Sequence, residues 1–345
     1  MSTISDNNYE GTKSATLTIG KVDLDVTAVA YSGADQVPAL TLTPSDLSHT
    51  VTYNGGSDNP KNAADYAVVV TVNDSRYSET VNGTFTINPA TITVTTADAS
   101  RVYGDANPDF SVSYSGFMGS ETASDLTTEA TATTTAVATS TVGTYDIEGK
   151  GAAAGNYAFV YVDGTLTVSR ATLTITPVDK TKTYLEVNPA LTVTYGANDF
   201  KNGEDNSALS IQPTLTTTAD ANSEVGTYDI IVSGATATNY TIDQSAKGTL
   251  TVEQKDATVT IANTSQTYTG SGLEVSATPS VNGLQVDVSY TLDGVAVTSP
   301  TNAGSYAVTA AINDKNYTGT ASGTLTIGQA LSLIHISEPT RLRRI

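Results

Sequence analysis

The sequence has no cysteine and no tryptophan, and its 345 residues include only two histidines, His49 and His335. Without cysteine there is no disulfide, no thiol nucleophile and no thiolate metal site, so stability has to come from packing. Basic residues are also few, because 16 Lys and Arg stand against 35 Asp and Glu, a formal net charge of −19. Nucleic acids and anionic membranes require a basic surface, so neither is an expected partner.

Long apolar runs and helical apolar periodicity are also missing. No stretch approaches the roughly 20 apolar residues of a membrane-spanning helix, so no membrane insertion is expected in this segment. Thr, Val, Ala, Gly and Asp are abundant instead, a composition typical of all-β proteins. The hydrophobic content of 39% is enough for several small cores in a chain of this length. We therefore expect several small all-β domains.

A strand motif recurs along the chain. Gly-Thr-Leu-Thr or Gly-Thr-Phe-Thr begins at Gly83, Gly164, Gly248 and Gly323, at intervals of 81, 84 and 75 residues. A fixed period of this size indicates tandem copies of one domain. Apolar residues alternate with threonines, which predicts a strand with one buried face, and the glycine before it predicts a turn.

An Ala/Gly-x-Tyr motif precedes each of these strands, at Tyr66, Tyr145, Tyr228 and Tyr306. We expect the ring of each tyrosine to be buried and its hydroxyl to reach a backbone group. A binding site built on these tyrosines is the alternative.

The period divides the chain into four complete copies between two incomplete ends. The boundaries that we predict are 1–20 for the closing hairpin of a truncated copy, 21–89, 90–170, 171–254 and 255–328 for the first to fourth repeats, and 329–345 for a non-native tail. The first 20 residues align with the end of the fourth repeat, so Met1 is interpreted as an internal methionine. We expect that hairpin to be mobile or to dock non-natively, because it lacks the strands it should pair with. Residues 331–341 resemble the translation of a sequencing adapter and are excluded from functional reasoning, together with His335.

The second and third repeats share a layout that the other two lack. Each contains a tyrosine near its start, an Asn-Pro pair and a segment predicted to form one short helical turn. In the second repeat these are residues 103, 107–108 and 120–126, and in the third repeat they are residues 184, 188–189 and 203–209. Ser120 and Gly203 are the predicted N-caps, with Glu121 and Glu204 in the first turn. The linkers at 88–89, 169–170 and 253–256 are very short, so we predict a semi-rigid, elongated rod.

These motifs resemble a known family. Tyr103-Gly-Asp-Ala-Asn-Pro108, Val142-Gly-Thr-Tyr145 and Asn156-Tyr157 resemble the MBG (mostly-β, glycine-rich) domain of the YGX type. The third repeat is similar but has Leu185 where the family has glycine, which puts the local turn geometry in question. The first and fourth repeats resemble the related MBG subtype. The resemblance implies bacterial, secreted or cell-surface, adhesin-like repeat proteins. For each repeat we expect an immunoglobulin-like β-sandwich, with a β-grasp module as the alternative.

The sequence offers no convincing site. His49, with Ser48 and Asp46, lies too close to these neighbours in sequence for a catalytic triad, so it is interpreted as a surface histidine. No catalytic, cofactor-binding or metal-ligating residue is predicted, and no cofactor is expected.

A structural calcium ion is the open alternative for the acidic residues. Its loose candidates are Asp105, Asp256, Glu121 with Asp125, and Glu204 with Asp205, although none shows the spacing of a calcium loop.

The predicted function is therefore structural. We expect a non-enzymatic stalk or spacer segment of a secreted or cell-surface adhesin-like protein, whose unknown surface ligand, host or biofilm component is reached through domains outside this sequence. A carbohydrate- or ligand-binding array, or the accessory stalk of a secreted enzyme, is the alternative. A binding array should show exposed aromatic residues repeated on one face, whereas a spacer needs tyrosines only in its cores.

Overall fold

The computed structural model describes residues 20–75 and 77–331. The chain divides into two compact units, residues 1–171 and residues 172–345. The hairpin predicted for residues 1–20 lies outside the described residues except for Gly20, and the predicted tail 329–345 lies outside them except for its first three residues.

In the first repeat a four-stranded and a two-stranded sheet are formed, ordered β2-β6-β5-β4 and β1-β3. Its strands are β1 (Lys21–Asp25), β2 (Val29–Ala30), β3 (Ala39–Thr43), β4 (His49–Tyr53), β5 (Ala64–Asp74) and β6 (Tyr77–Asn88). The long hairpin of β5 and β6 is antiparallel, whereas β2 pairs with the end of β6 in parallel.

The second repeat forms a three-stranded sheet ordered β12-β7-β9 and a four-stranded sheet ordered β10-β11-β13-β8. Its strands are β7 (Ala90–Thr96), β8 (Ala99–Val102), β9 (Val112–Ser115), β10 (Thr131–Thr134), β11 (Gly143–Lys150), β12 (Tyr157–Val162) and β13 (Gly164–Ser169). Parallel pairing joins β12 to β7 and β13 to β8.

The third repeat has the same topology, with sheets ordered β16-β14-β19 and β15-β20-β18-β17. Its strands are β14 (Ala171–Pro177), β15 (Lys180–Thr183), β16 (Val193–Tyr195), β17 (Thr214–Thr217), β18 (Gly226–Ser233), β19 (Tyr240–Asp243) and β20 (Lys247–Glu253).

The fourth repeat has a five-stranded sheet ordered β23-β29-β27-β25-β26 and the strand pairs β22-β24 and β21-β28. Its strands are β21 (Lys255–Asp256), β22 (Val259–Ala262), β23 (Ser265–Thr267), β24 (Ser276–Pro279), β25 (Gln285–Leu292), β26 (Val295–Val297), β27 (Gly304–Asn313), β28 (Tyr317–Thr318) and β29 (Thr320–Gly328).

The prediction of tandem all-β sandwiches is confirmed, and the described residues contain no α-helix. Burial alternates along the closing strands as the sequence predicts: in β13, Leu166 and Val168 are buried and the threonines between and before them are not. In the first unit the buried residues of the first and second repeats form one continuous cluster, which runs through Ile87 and Ala90 on either side of the linker.

The predicted helical turns exist as single 3₁₀ turns at Ala123–Asp125 and Asn206–Ala208. Their N-caps are Thr122 and Asp205, so the prediction of Ser120 and Gly203 is wrong by two residues. Asp205 accepts the first-turn amide of Ser207 with its side chain, whereas at the other turn the amide of Thr122 donates to the side chain of Asp125.

The glycine of the closing-strand motif lies within a strand in all four repeats, and not in the predicted turn. Gly164 is the first residue of β13 and pairs with Ile147. A Cβ on Gly164 would lie 2.7 Å from the carbonyl oxygen of Ala97 and 2.8 Å from that of Thr96. Glycine is needed there because another segment's backbone passes too closely for a side chain.

Candidate functional site: the joints between repeats

The predicted surface histidine lies at an exposed position. His49 is the first residue of β4, and its Nδ1 lies 3.0 Å from the carbonyl oxygen of Leu47. The backbone amide of Ser48 lies 3.4 Å from Asp74 Oδ2. The contacts of Ser48 and His49 are thus local contacts with the backbone and with a carboxylate of the next strand.

The acidic residues weighed as calcium ligands have hydrogen-bonding roles. Asp125 accepts the amide of Thr122 at 2.8 Å, and Asp205 accepts the amide of Ser207 at 2.8 Å. Hydrogen bonds from the Ser207 side chain and backbone lower the pKa of Asp205. Among residues 20–75 and 77–331, no group of three or more His, Asp or Glu side chains is arranged to hold a metal ion. Structural calcium stays a prediction.

The tyrosine of each Ala/Gly-x-Tyr motif forms the same corner in all four repeats. The hydroxyls of Tyr66, Tyr145, Tyr228 and Tyr306 donate to the carbonyl oxygen four residues upstream, at 2.9, 2.8, 2.8 and 3.0 Å. The predicted bond to a backbone group is confirmed. The ring of Tyr306 is buried, whereas the other three are partly buried. This bond fixes the chain at the start of the strand that pairs antiparallel with the closing strand of each repeat.

Within the first unit, the first and second repeats meet through a joint made of four residues. Asn156 Oδ1 accepts the backbone amide of Ala63, the residue just before the first repeat's tyrosine motif, at 2.9 Å. The ring of Tyr31 packs against the edge of Tyr157, with centroids 5.5 Å apart and planes at 86°. We call Tyr31, Ala63, Asn156 and Tyr157 the first joint. The carbonyl oxygen of Asn156 also accepts the amide of Ala90, which ties the linker to the same asparagine.

A carboxylate completes the first joint. The hydroxyls of Tyr31 and Tyr157 donate to the two oxygens of Glu121. The bond to Glu121, assisted by burial, raises the pKa of Tyr31 to about 12. Burial, with the same carboxylate, also raises the pKa of Tyr157. Both hydroxyls are thus held as donors, and Glu121 links the two tyrosines of this joint.

The second unit contains the same joint between the third and fourth repeats. Asn316 Oδ1 accepts the amide of Val225, the residue just before the third repeat's tyrosine motif, at 2.9 Å. Tyr184 packs edge to face against Tyr317, at 5.5 Å and 83°. We call Tyr184, Val225, Asn316 and Tyr317 the second joint. Here too the asparagine carbonyl accepts an amide of the linker, that of Lys255, at 2.9 Å.

An ion pair lies beside the second joint. Lys315 Nζ is 2.5 Å from Glu224 Oε2, and both side chains are about 60% exposed. The bond to Glu224 raises the pKa of Lys315. An exposed pair of this kind contributes little, so the asparagine bond and the ring contact define the joint.

Sequence reasoning missed these joints. It used Asn156-Tyr157 only as part of the family motif and assigned no contact to the asparagine. The available signal was that Asn precedes Tyr at matching positions of the second, third and fourth repeats (156, 239 and 316).

Family models match nearly all of the described chain. The MBG domain matches residues 21–91 and 257–331, and the MBG domain of the YGX type matches residues 92–167 and 173–251. The chain belongs to the MBG domain family. The two kinds of MBG domain occur in the order that the sequence motifs predict, with the two YGX-type domains between the other two. A comparison with curated proteins finds no match.

Several solved structures are similar to this MBG array at low sequence identity. A bacterial integrin-binding protein, invasin, is 12% identical with a TM-score of 0.33, over 90% of this chain and 79% of that one. Immunoglobulin domains 1–4 of Sidekick-1 are 8% identical with a TM-score of 0.27, over 89% and 97%. Drosophila N-cadherin EC1–4 is 10% identical with a TM-score of 0.25, over 89% and 99%.

The repeated tyrosines of the MBG domains serve cores and joints. Tyr31, Tyr103, Tyr157, Tyr240, Tyr290 and Tyr306 are each at most 7% exposed. Among the described residues, the large apolar side chains that are exposed include one aromatic residue, Tyr268 at 42%. No helix in the described part is long and apolar enough to cross a membrane.

Proposed function

We propose that this MBG array is a non-enzymatic stalk or spacer segment of a secreted or cell-surface, adhesin-like bacterial protein. The observation that carries the proposal is the pairing of strands near the two ends of each repeat. In every repeat, an early strand pairs in parallel with the last strand: β2 with β6, β8 with β13, β15 with β20 and β23 with β29.

Parallel pairing of these strands resists a pull on the ends of a repeat. Tension enters at the N-terminal end of the early strand and leaves at the C-terminal end of the last strand, and in a parallel pair these points lie at opposite ends of the ladder. The load is then shared by all the hydrogen bonds of the ladder in shear, since their spacing is even. An antiparallel pair loaded through its adjacent ends would open one bond at a time.

The joints support the same role by limiting motion at the linkers. In the first joint, Asn156 holds the preceding repeat with its side chain and the linker with its carbonyl oxygen. Asn316 does both in the second joint. A spacer needs such fixed connections, because flexible linkers would shorten its reach. The predicted semi-rigid rod stays a prediction, as do the anchor and the surface ligand.

Pulling single molecules apart tests the proposal. The chain has no cysteine, so Lys21→Cys and Leu331→Cys provide unique attachment points at its two ends. We expect four unfolding events, each releasing roughly 250 Å of chain at about 3.5 Å per residue. Their forces should exceed the force needed to open the second repeat through Ser100→Cys and Thr167→Cys, which are direct partners in β8 and β13. Equal or lower forces at the chain ends would contradict a load-bearing role.

A binding screen addresses the ligand-binding alternative. That alternative requires a repeated exposed aromatic surface, and Tyr268 occurs at one position. We expect the whole chain to retain no glycan above the level of a bovine serum albumin control. Saturable binding that is lost on substitution of equivalent residues in two repeats would replace the spacer by a binding array.

A further inference from the structure

The fourth repeat carries at its C-terminal end the features that the first repeat presents to the second. The backbone amide of Tyr31 donates to the carbonyl oxygen of Asn88, at the end of β6, at 2.8 Å. The amide of Tyr268 donates to the carbonyl oxygen of Gly328, at the end of β29, at 2.9 Å. Each tyrosine is therefore fixed at the same place relative to the end of its repeat.

The second feature is a backbone amide. Ala63 and Val225, the amide donors of the two joints, directly precede the tyrosine motif of their repeats. Ala303 holds this position in the fourth repeat, between Asn302 and the motif at Gly304. The bond from the Tyr306 hydroxyl to the Asn302 carbonyl fixes the chain there as in the other repeats. No hydrogen bond joins the Ala303 amide to another described residue.

The two ends differ in what covers them. Tyr31 is 2% exposed, because Tyr157 and Glu121 of the second repeat contact its ring and hydroxyl. Tyr268 is 42% exposed. Tyr268 is therefore an exposed aromatic side chain that the backbone holds at the position where Tyr31 contacts the next repeat. Such a residue indicates an interaction surface whose partner is not in contact with it.

We propose that Tyr268 and the Ala303 amide form a docking surface for a YGX-type MBG repeat joined directly after Gln329. The occupant has to supply an amide oxygen for Ala303, a ring for Tyr268 and a carboxylate for the Tyr268 hydroxyl. The second repeat supplies this set as Asn156, Tyr157 and Glu121.

The third repeat carries the same set, because Asn239 precedes Tyr240 and the Tyr240 hydroxyl donates to Glu204 at 2.5 Å. Both YGX-type repeats are thus equipped to fill such a surface.

The linker register fits this occupant. Gly328 corresponds to Asn88, so Ala330 corresponds to Ala90, whose amide is bound by the joint asparagine. A second copy of the chain fits less well, because Asn156 and Asn316 are already engaged in joints, and Asn8-Tyr9 belongs to a truncated copy that lacks the segment supplying the carboxylate. The first repeat has Arg76 instead of asparagine before its Tyr77. This inference concerns a contact surface and does not depend on whether the array bears load.

The test is an extended chain in which a copy of residues 90–170 replaces residues 330–345. Hydrogen exchange at the Ala303 amide is compared with that in the original chain, and the Ala63 and Val225 amides serve as protected references in both samples. We expect exchange at Ala303 to slow by about tenfold or more, as a new hydrogen bond requires. Strand amides of the copy show whether it has folded. A copy of residues 171–254 serves as the second variant if the first copy does not fold.

Matched variants separate docking from mere proximity. Replacement of the asparagine at position 156 of the copy by alanine should return Ala303 to fast exchange while the copy stays folded. Tyr268→Ala should weaken the protection, whereas Val295→Ala, at another exposed side chain of the same repeat, should not. Fast exchange at Ala303 beside a folded copy would overturn the proposal. Protection in the original chain that grows with protein concentration would overturn it too, because a second copy would then be the occupant.

Discussion

The second and third repeats share one strand topology but handle a buried cation differently. Arg101 is 7% exposed, and its Nε donates to Asn107 Oδ1 at 2.8 Å while Nη2 donates to the Val137 carbonyl at 2.5 Å. Lys182, at the matching position, is 5% exposed and donates to the carbonyls of Glu186 and Asp220.

This difference in the buried cation changes the hydrogen bonding of the asparagine in the Asn-Pro pair. Asn107 and Asn188 both donate through Nδ2, to the carbonyls of Ala136 and Ala219 at 2.7 and 2.6 Å. Asn188 Oδ1, however, is buried and has no hydrogen-bond partner among the described residues. The Lys182 ammonium donates to two loop carbonyls, but lysine has no counterpart of the guanidinium Nε that donates to Asn107 Oδ1 in the second repeat. The third repeat thus keeps the same topology with lysine in place of arginine, but Asn188 Oδ1 has no donor among the described residues.

The same pair of repeats differs in a turn. Gly104 has a φ of 88°, and Leu185, which replaces it, keeps the left-handed conformation with a φ of 70°. The sequence left this turn in question, and the structure retains it. A leucine pays a steric penalty there of about 1 kcal/mol, because its Cβ approaches the next carbonyl. At both the buried cation and the turn, the third repeat has the same backbone as the second repeat, with a locally less favourable side chain.

The largest expected effect comes from the glycine of the closing-strand motif. A Cβ on Gly164 would lie 2.7 Å from the Ala97 carbonyl oxygen, one on Gly248 would lie 3.0 Å from Pro177, and one on Gly323 would lie 3.6 Å from Ile261. We expect Gly164→Ala to lower the free energy of unfolding of its repeat by about 3 kcal/mol, Gly248→Ala by about 1 kcal/mol, and Gly323→Ala by less than about 0.5 kcal/mol.

Hydrogen exchange of the closing strands measures each repeat separately, which a single melting curve of the whole chain does not. An equal cost at all three positions would show that strand propensity, and not the approach of the neighbouring backbone, makes these residues glycine.

The next largest effect is expected when the two buried cations are swapped between the repeats. Lys182→Arg should supply the missing donor to Asn188 Oδ1 and raise the free energy of unfolding of the third repeat by about 1 kcal/mol, since an unsatisfied buried acceptor costs about 1–3 kcal/mol. Arg101→Lys should leave Asn107 Oδ1 without its donor and cost about 2 kcal/mol. Exchange protection in β13 and β20 reports the two changes. A loss in both variants would mean that each loop is fitted to its own cation.

The turn gives a smaller effect. Leu185→Gly should stabilise the third repeat by about 0.5–1 kcal/mol, because glycine adopts a positive φ without the steric cost and the leucine side chain is 42% exposed. Gly104→Leu is the reverse change and should cost a similar amount in the second repeat. Hydrogen exchange measured over a range of temperatures compares the two variants, with the Thr183 amide reporting on the third repeat and the Val102 amide on the second. Destabilisation by both substitutions would show that Leu185 makes a packing contribution larger than its strain.

Local patterns predicted most of each repeat. Alternation of apolar residues and threonine located the closing strands, because side chains on a strand point to opposite faces. The tyrosine hydroxyl was predicted to reach the backbone, since a buried phenol needs a partner. The 3₁₀ turns were predicted within the correct segments, but their caps were misplaced, because several polar residues there could serve as N-cap.

Contacts between distant segments could not be predicted. The asparagine at 156 has a role only when the Ala63 amide is known to face it, 93 residues away in the sequence. Gly164 looked like a turn residue because its real constraint, the backbone of Ala97 on another segment, has no local signature. Glu121 was weighed as a calcium ligand because a sequence does not show two tyrosine hydroxyls meeting its carboxylate.

The last effect, which leaves the free energy of unfolding at neutral pH unchanged, is the alkaline titration of the first joint. Tyr31 has a pKa of about 12 in the folded chain against about 10 when unfolded. Its contribution is therefore complete below pH 10 and is lost as the pH rises from 10 to 12, because the unfolded state releases the proton first. The difference in unfolding free energy between the original chain and Tyr31→Phe should be constant up to about pH 9 and shrink above pH 10. In a Glu121→Gln background the same comparison should change less with pH, since the carboxylate is the main cause of the raised pKa. A difference that stays constant through pH 11 would show that Glu121 does not hold the Tyr31 proton.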